Sequence, residues 1–131
     1  MAEYAPWSPE PPTREQILAE PAGARMDEWV AQYVMGGAVA SYSRWVGDAW
    51  TVVEKFRDEH RDMVINNCPV GTCHTHEGKV PFEIQTFIRE GKPWAFCAFQ
   101  YPGGMRAESA NAETVPLAIC RAALLIRVAA K

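Results

Sequence analysis

From residue 113 to residue 131 the chain reads ETVPLAICRAALLIRVAAK, an almost wholly apolar helix with Arg121 set in its most apolar face. Leu117 and Ala118 lie one turn before this arginine and Leu124 and Leu125 one turn after it, so the guanidinium cannot simply point away from the packed side. A charge held there needs an anionic partner. That partner is either a carboxylate of the chain, with Asp48 and Glu54 on a preceding helix as candidates, or part of a ligand.

Upstream of this helix the pattern is that of strands. Val80, Phe82, Ile84, Thr86 and Ile88 alternate with Glu83, Gln85 and Arg89; Trp94, Phe96 and Ala98 alternate with Ala95, Cys97 and Phe99. Glu90-Gly91-Lys92-Pro93 supplies the hairpin turn between them. The second of these strands is apolar on both faces, which predicts a sheet covered on both sides at least in its middle. Met63, Val64 and Ile65 read as a further short strand, and residues 101–111 as a loop.

The first 12 residues carry Pro6, Pro9, Pro11 and Pro12 and read as an extended arm ahead of a single domain spanning 13–131. Thr13 caps a short helix with Ile17 and Leu18 inward, ended by Pro21 and Gly23. A second helix runs from about Ala24 to Met35 on Met26, Trp29, Val30 and Tyr33, and stops at Gly36-Gly37. Ser41 is the expected cap of a third, from about Tyr42 to Glu59, with Trp45, Ala49, Val52, Val53 and Phe56 as its stripe and Trp50 off centre. These elements predict an α+β fold, an antiparallel sheet sandwiched between N-terminal helices and a C-terminal helix.

With 131 residues, one domain can bury a core without staples. A net charge of -3 argues against a general nucleic-acid binder, which normally carries a basic stripe, while leaving room for one small anion in a local pocket. The chain shows neither a charged-then-apolar leader nor an apolar run of membrane-spanning length, so a cytosolic location is expected. Trp50, the apolar breadth of the last helix and the small protomer predict a homo-oligomer, a dimer or a multiple of dimers.

Several blocks of the chain resemble the phage ABA-sandwich domain family. They are Thr13-Arg14-Glu15-Gln16-Ile17-Leu18, Pro21-Ala22-Gly23 with Met26-Asp27, Val34-Met35-Gly36, Tyr42-Ser43, the run from Asp48 to Phe56, and Ala112-Glu113-Thr114 through Leu124. They cover the helices at both ends and leave roughly residues 60–110 divergent, and the N-terminal proline arm is not part of the pattern. The resemblance implies a small phage protein of the fold just described, acting in the host cytoplasm, without an established activity. Phage proteins of similar size and layering include the Thoeris anti-defence sponges, oligomers that sequester cyclic ADP-ribose-type signals and, in some cases, cyclic oligonucleotides. That likeness is one of architecture and context.

Such a sponge needs aromatic faces for bases, guanidinium groups for phosphates and amide or backbone groups for ribose, and no metal, cofactor or general base. Trp94, Phe82 and Tyr101 are the stacking candidates; Arg89, Arg106, Arg121, Asn111 and the Gly103-Gly104-Met105 loop are the polar ones, the glycines allowing backbone N–H groups close to a phosphate. Each has a plainer reading: the aromatics as sheet core, Arg106 as a solvated loop residue, Arg121 as half of an internal ion pair. A phage accessory protein that binds a host protein through the surface around Trp50 and the arm is the alternative from another class.

Cys68, Cys73, His74 and His76 offer the donors of a tetrahedral zinc site, but four residues separate the cysteines and His74 crowds its neighbour, which suits a polar loop better than a finger. Cys97 and Cys120 read as core. Carboxylate pairs such as Asp27-Glu28 and Asp58-Glu59 read as solvated helix surface. No phosphate-gripping loop, nucleophile elbow or dinucleotide fingerprint is present, so an enzyme is not expected.

Overall fold

A computed structural model describes residues 10–67, 82–100 and 107–128. Helix α1 (Arg14–Ala19) opens on a reciprocal cap: Thr13 Oγ1 accepts from the Gln16 N–H at 3.1 Å and Gln16 Oε1 accepts from the Thr13 N–H at 2.9 Å. Its inward residue is Ile17; Leu18, expected beside it, is 42% exposed because a helix this short buries one narrow stripe. Helix α2 (Ala24–Val30) runs into a π-helical turn, Ala31–Met35, that closes on Gly36 in the left-handed region at φ 67.

Helix α3 spans Val46–Asn67. It differs from expectation at both ends. Trp45, not Ser41, precedes its first turn, accepting the Ala49 N–H at 2.9 Å, and is 69% exposed instead of lying on the stripe. Residues 42–44 form a turn instead, recruited by Asp27 as described below. At the other end the helix continues through Met63, Val64 and Ile65: three apolar residues cannot be told from a helix segment by periodicity, and extending a helix is cheaper than starting a new element.

Strands β1 (Phe82–Arg89), β2 (Lys92–Gln100) and β3 (Ala107–Ala112) form an antiparallel sheet in that order. The β1–β2 turn has two residues, Glu90 at φ 53 and Gly91 at φ 78, the doubly positive pair that matches strand twist. Lys92 and Pro93 belong to β2. Pairing with β3 begins only at Ala95↔Ala112, so Pro93, which has no N–H to donate, stands on an edge that β3 does not cover. The β3 segment, expected as loop, is a strand despite its poor strand formers: Ala110 and Ala112 are small, and α4 lies close against them.

Helix α4 (Val115–Arg127) starts on a Thr114 cap with Pro116 in its first turn and is buried continuously from Leu117 to Ile126. It contacts β2, β3, α1, α2 and α3. Phe56 of α3 stacks on Phe99 of β2 with ring centroids 4.3 Å apart, and the Arg127 guanidinium covers Phe56 at 4.4 Å while pairing with Glu59. The fold is α+β, a three-stranded antiparallel sheet packed against the N-terminal helices and the C-terminal helix. The sheet face of Ala95, Cys97 and Phe99 is closed; Trp94, Phe96 and Ala98 on the other face are half-buried among the described residues. No described helix is long and apolar enough to cross a membrane.

Candidate functional site

Among the described residues two charges are buried, both in the helical layer. Arg121 is 8% exposed, and its partners are carbonyls: Nη1 donates to Asn111 O at 2.9 Å and Nη2 to Glu20 O at 3.0 Å. Neither carboxylate expected for it is engaged there. Asp48 accepts the Ser41 N–H at 3.0 Å, and Glu54 pairs with Arg57 at 3.8 Å. Glu20 is the C-cap of α1, so one Arg121 contact lies at the negative end of a helix. Burial lowers the Arg121 pKa, and the nearby Glu113 carboxylate partly offsets this. Nε of Arg121 has no partner among the described residues. Arg121 thus ties the end of α1 to β3.

Asp27 is the buried charge that reading the Asp27-Glu28 pair as solvated surface missed. It is 0% exposed; Oδ1 accepts from the Ser43 N–H at 2.7 Å and the Ser43 hydroxyl at 2.6 Å, and Oδ2 from Arg44 Nη2 at 2.7 Å. Ser43 Oγ in turn accepts from the Gly23 N–H at 2.9 Å. The signal was present: Gly23, Asp27, Ala31 and Val34 follow helical spacing, and the last two are buried. Asp27 and Ser43 pin α2 to the turn before α3.

The sheet register arranges the remaining candidates. On the half-buried face, Arg89 pairs with Lys92, Phe87 with Trp94, Phe96 with both Gln85 and Asn111, and Ala98 with both Glu83 and Ser109. A cationic row at the hairpin end is therefore followed by an aromatic row, an amide-flanked aromatic row and a row with Ala98 between the Glu83 carboxylate and the Ser109 hydroxyl, each roughly 7 Å from the next by strand rise. Gln85 Nε2 donates to the Glu83 carboxylate. Arg89 lies over the Phe87 ring at 5.6 Å. Arg89, Trp94 and Asn111 share this face; Arg121 reaches only the Asn111 carbonyl, from the helix side. Phe82 pairs with Phe99 at the far end of the hairpin, away from Trp94. Tyr101, Gly103, Gly104, Met105 and Arg106 lie outside the described residues, as do the arm at residues 1–9 and Cys68, Cys73, His74 and His76. Among the described residues no metal-binding cluster is formed.

Beyond Ala95, where β3 leaves β2, the projecting hairpin and the corner at residues 113–115 bound an open cleft of about 560 Å³, lined among others by Thr86, Ile88, Pro93 and Trp94. Trp94 belongs to both the cleft and the sheet face. Cys97 and Cys120 are buried and free, and burial pushes the Cys97 thiol up to about 12, so neither is poised as a nucleophile.

No curated protein and no solved structure matches the chain. The model of the phage ABA sandwich domain does match it, over residues 24–124, which takes in Asp27, Ser43, the whole described sheet and Arg121. The chain belongs to the phage ABA sandwich domain family.

Proposed function

We propose that this protein binds and sequesters a cyclic nucleotide-derived immune signal, of the cyclic ADP-ribose or cyclic oligonucleotide type, without cleaving it. One observation carries the reading: the order of rows on the half-buried sheet face, with Arg89 and Lys92 beside Trp94 and Phe87, and Phe96 flanked by Gln85 and Asn111. Half-buried aromatic faces on an antiparallel sheet can stack bases, a flanking amide such as that of Asn111 can hydrogen-bond base edges, and a guanidinium with an ammonium can hold phosphate. Arg121 supports this face from behind by fixing the Asn111 carbonyl. Sequestration needs affinity and excess, not turnover.

Mass spectrometry of the purified protein mixed with cyclic ADP-ribose isomers, cyclic dinucleotides and cyclic trinucleotides tests this, with heat release and chromatography of what was bound. One compound bound tightly and returned intact is the expected result. A cleaved product makes the protein an enzyme, and no binding removes the reading.

A second reading, capture of a host protein, is favoured by Trp45, Val46 and Trp50, which are 69%, 59% and 38% exposed around the start of α3. The same surface would serve a dimer, since the apolar breadth of α4 is consumed inside the protomer. Light scattering of wild type and Trp45→Arg separates the two: loss of a dimer in the variant assigns the surface to self-association, and a monomer in both leaves it to a partner.

A further inference from the structure

The cleft at the hairpin end has a chemistry unlike that of the sheet face it adjoins. Its described lining contains no lysine or arginine; Ile88, Pro93, Trp94 and Val115 give it an apolar wall, and Thr86, Thr114 and Glu113 supply oxygen. A phosphate would meet the Glu113 carboxylate here, and the Arg121 guanidinium near that carboxylate is already engaged by two carbonyls. A group carrying hydroxyl donors on an apolar ring would meet acceptors and a wall.

Glu113 is placed for that task by its neighbours. Thr114, not Glu113, caps α4, taking the Leu117 N–H at 3.4 Å, so the carboxylate is not drawn into the helix. No hydrogen bond to the Glu113 side chain forms among the described residues. Two residues earlier the backbone is held by Arg121 through the Asn111 carbonyl, which fixes the corner from which Glu113 projects. The backbone of the corner is thus placed in advance, and only the Glu113 side chain has to be ordered by a ligand.

We propose that Glu113 determines the specificity of the nucleotide surface, accepting hydrogen bonds from the ribose hydroxyl of a ligand whose base lies on Trp94 and whose phosphate lies toward Arg89 and Lys92. This rests on the nucleotide-binding reading above and adds to it a preference for ribose over deoxyribose, the discrimination that a carboxylate facing a 2′-hydroxyl provides.

Calorimetric titration of the full chain with cyclic ADP-ribose and with cyclic di-AMP, each beside its 2′-deoxy counterpart, tests it. Wild type is expected to bind the ribose form of the recognised compound at least roughly 10-fold more tightly, the effect of one hydrogen bond to a charged acceptor. Glu113→Ala is expected to bind both forms alike, at the level of wild type with the deoxy form, and its unfolding curve should match wild type because the side chain is exposed. Equal affinity of wild type for the two forms, or a preference retained in Glu113→Ala, overturns the role of Glu113 while the nucleotide reading stands. If neither these four compounds nor any cyclic ADP-ribose isomer, cyclic dinucleotide or cyclic trinucleotide of the mass-spectrometric screen binds wild type, both fall together.

Discussion

At the junction of α1, α2, α4 and the turn before α3, a carboxylate and a guanidinium lie almost out of solvent. Asp27 accepts three hydrogen bonds, and the two Nη atoms of Arg121 are engaged by carbonyls. Across the sheet, Arg89, Lys92, Gln85 and Asn111 stand exposed beside half-buried aromatics, and Glu113 projects into an open cleft. The contrast separates two uses of polar residues. In the first region they replace apolar packing as the fastening between elements, and their loss should be felt as instability. In the second they stand in solvent, with Gln85 alone among those four donating its amide to a neighbouring side chain, Glu83, and their loss should be felt in binding.

The sharpest way to break this division is at Asp27. Asp27→Ala leaves the Ser43 N–H without its acceptor in a dry site and the Ser43 hydroxyl with only the Gly23 carbonyl at 3.3 Å, and urea unfolding should show a loss of about 3 kcal/mol; Arg44 is half exposed and adds little to that figure. Arg121→Met keeps the volume but abandons two carbonyls, for about 2–3 kcal/mol. If either variant kept its stability, the fastening role would be wrong.

Trp94→Ala tests the other side. It should cost under about 1.5 kcal/mol in the same unfolding experiment, being half-buried, yet weaken binding of the recognised nucleotide roughly 10- to 100-fold, the effect of one lost stacking partner. A large stability loss with unchanged binding would move Trp94 into the core.

A smaller effect concerns pH. The Cys97 thiol is pushed up to about 12 from an ordinary 9.0. Between those values the unfolded chain gives up a proton that the native one keeps, so this contribution is intact below pH 9 and declines as pH rises toward 12. Cys97→Ala should flatten that alkaline decline. Smallest of all is Arg14→Ala, which removes the 3.0 Å pair with Glu108 at the surface and should cost no more than about 1 kcal/mol.

Much of the fold was legible because apolar spacing is local. The short α1 with its Thr13 cap, the Gly36 stop, the Glu90-Gly91 turn and α4 all follow from neighbouring residues. The errors fall where a distant contact overrode local preference. Ser43 and Arg44 would continue a helix backward from α3, but Asp27 holds them in a turn. The segment from Ala107 to Ala112 looks like a loop until β2 offers it a ladder and α4 demands small residues. Arg121 announced itself by sitting in an apolar face, yet its partners are backbone oxygens 10 and 101 positions away, which no side-chain pattern encodes. At the site, Arg89, Trp94 and Asn111 were named from residue type; only strand register shows that they share a face, and Glu113 waited on the corner that β3 makes with α4.

Helix α4 has one more consequence, in the order of events during synthesis. Every element it packs against precedes it in the chain, and its ten consecutive buried residues form the floor on which the others rest. Until those residues leave the ribosome, the helices and the β1–β2 hairpin share little beyond contacts such as the stack of Phe56 on Phe99. The nascent chain must therefore wait, apolar stripes uncovered, and then assemble in one late, cooperative step.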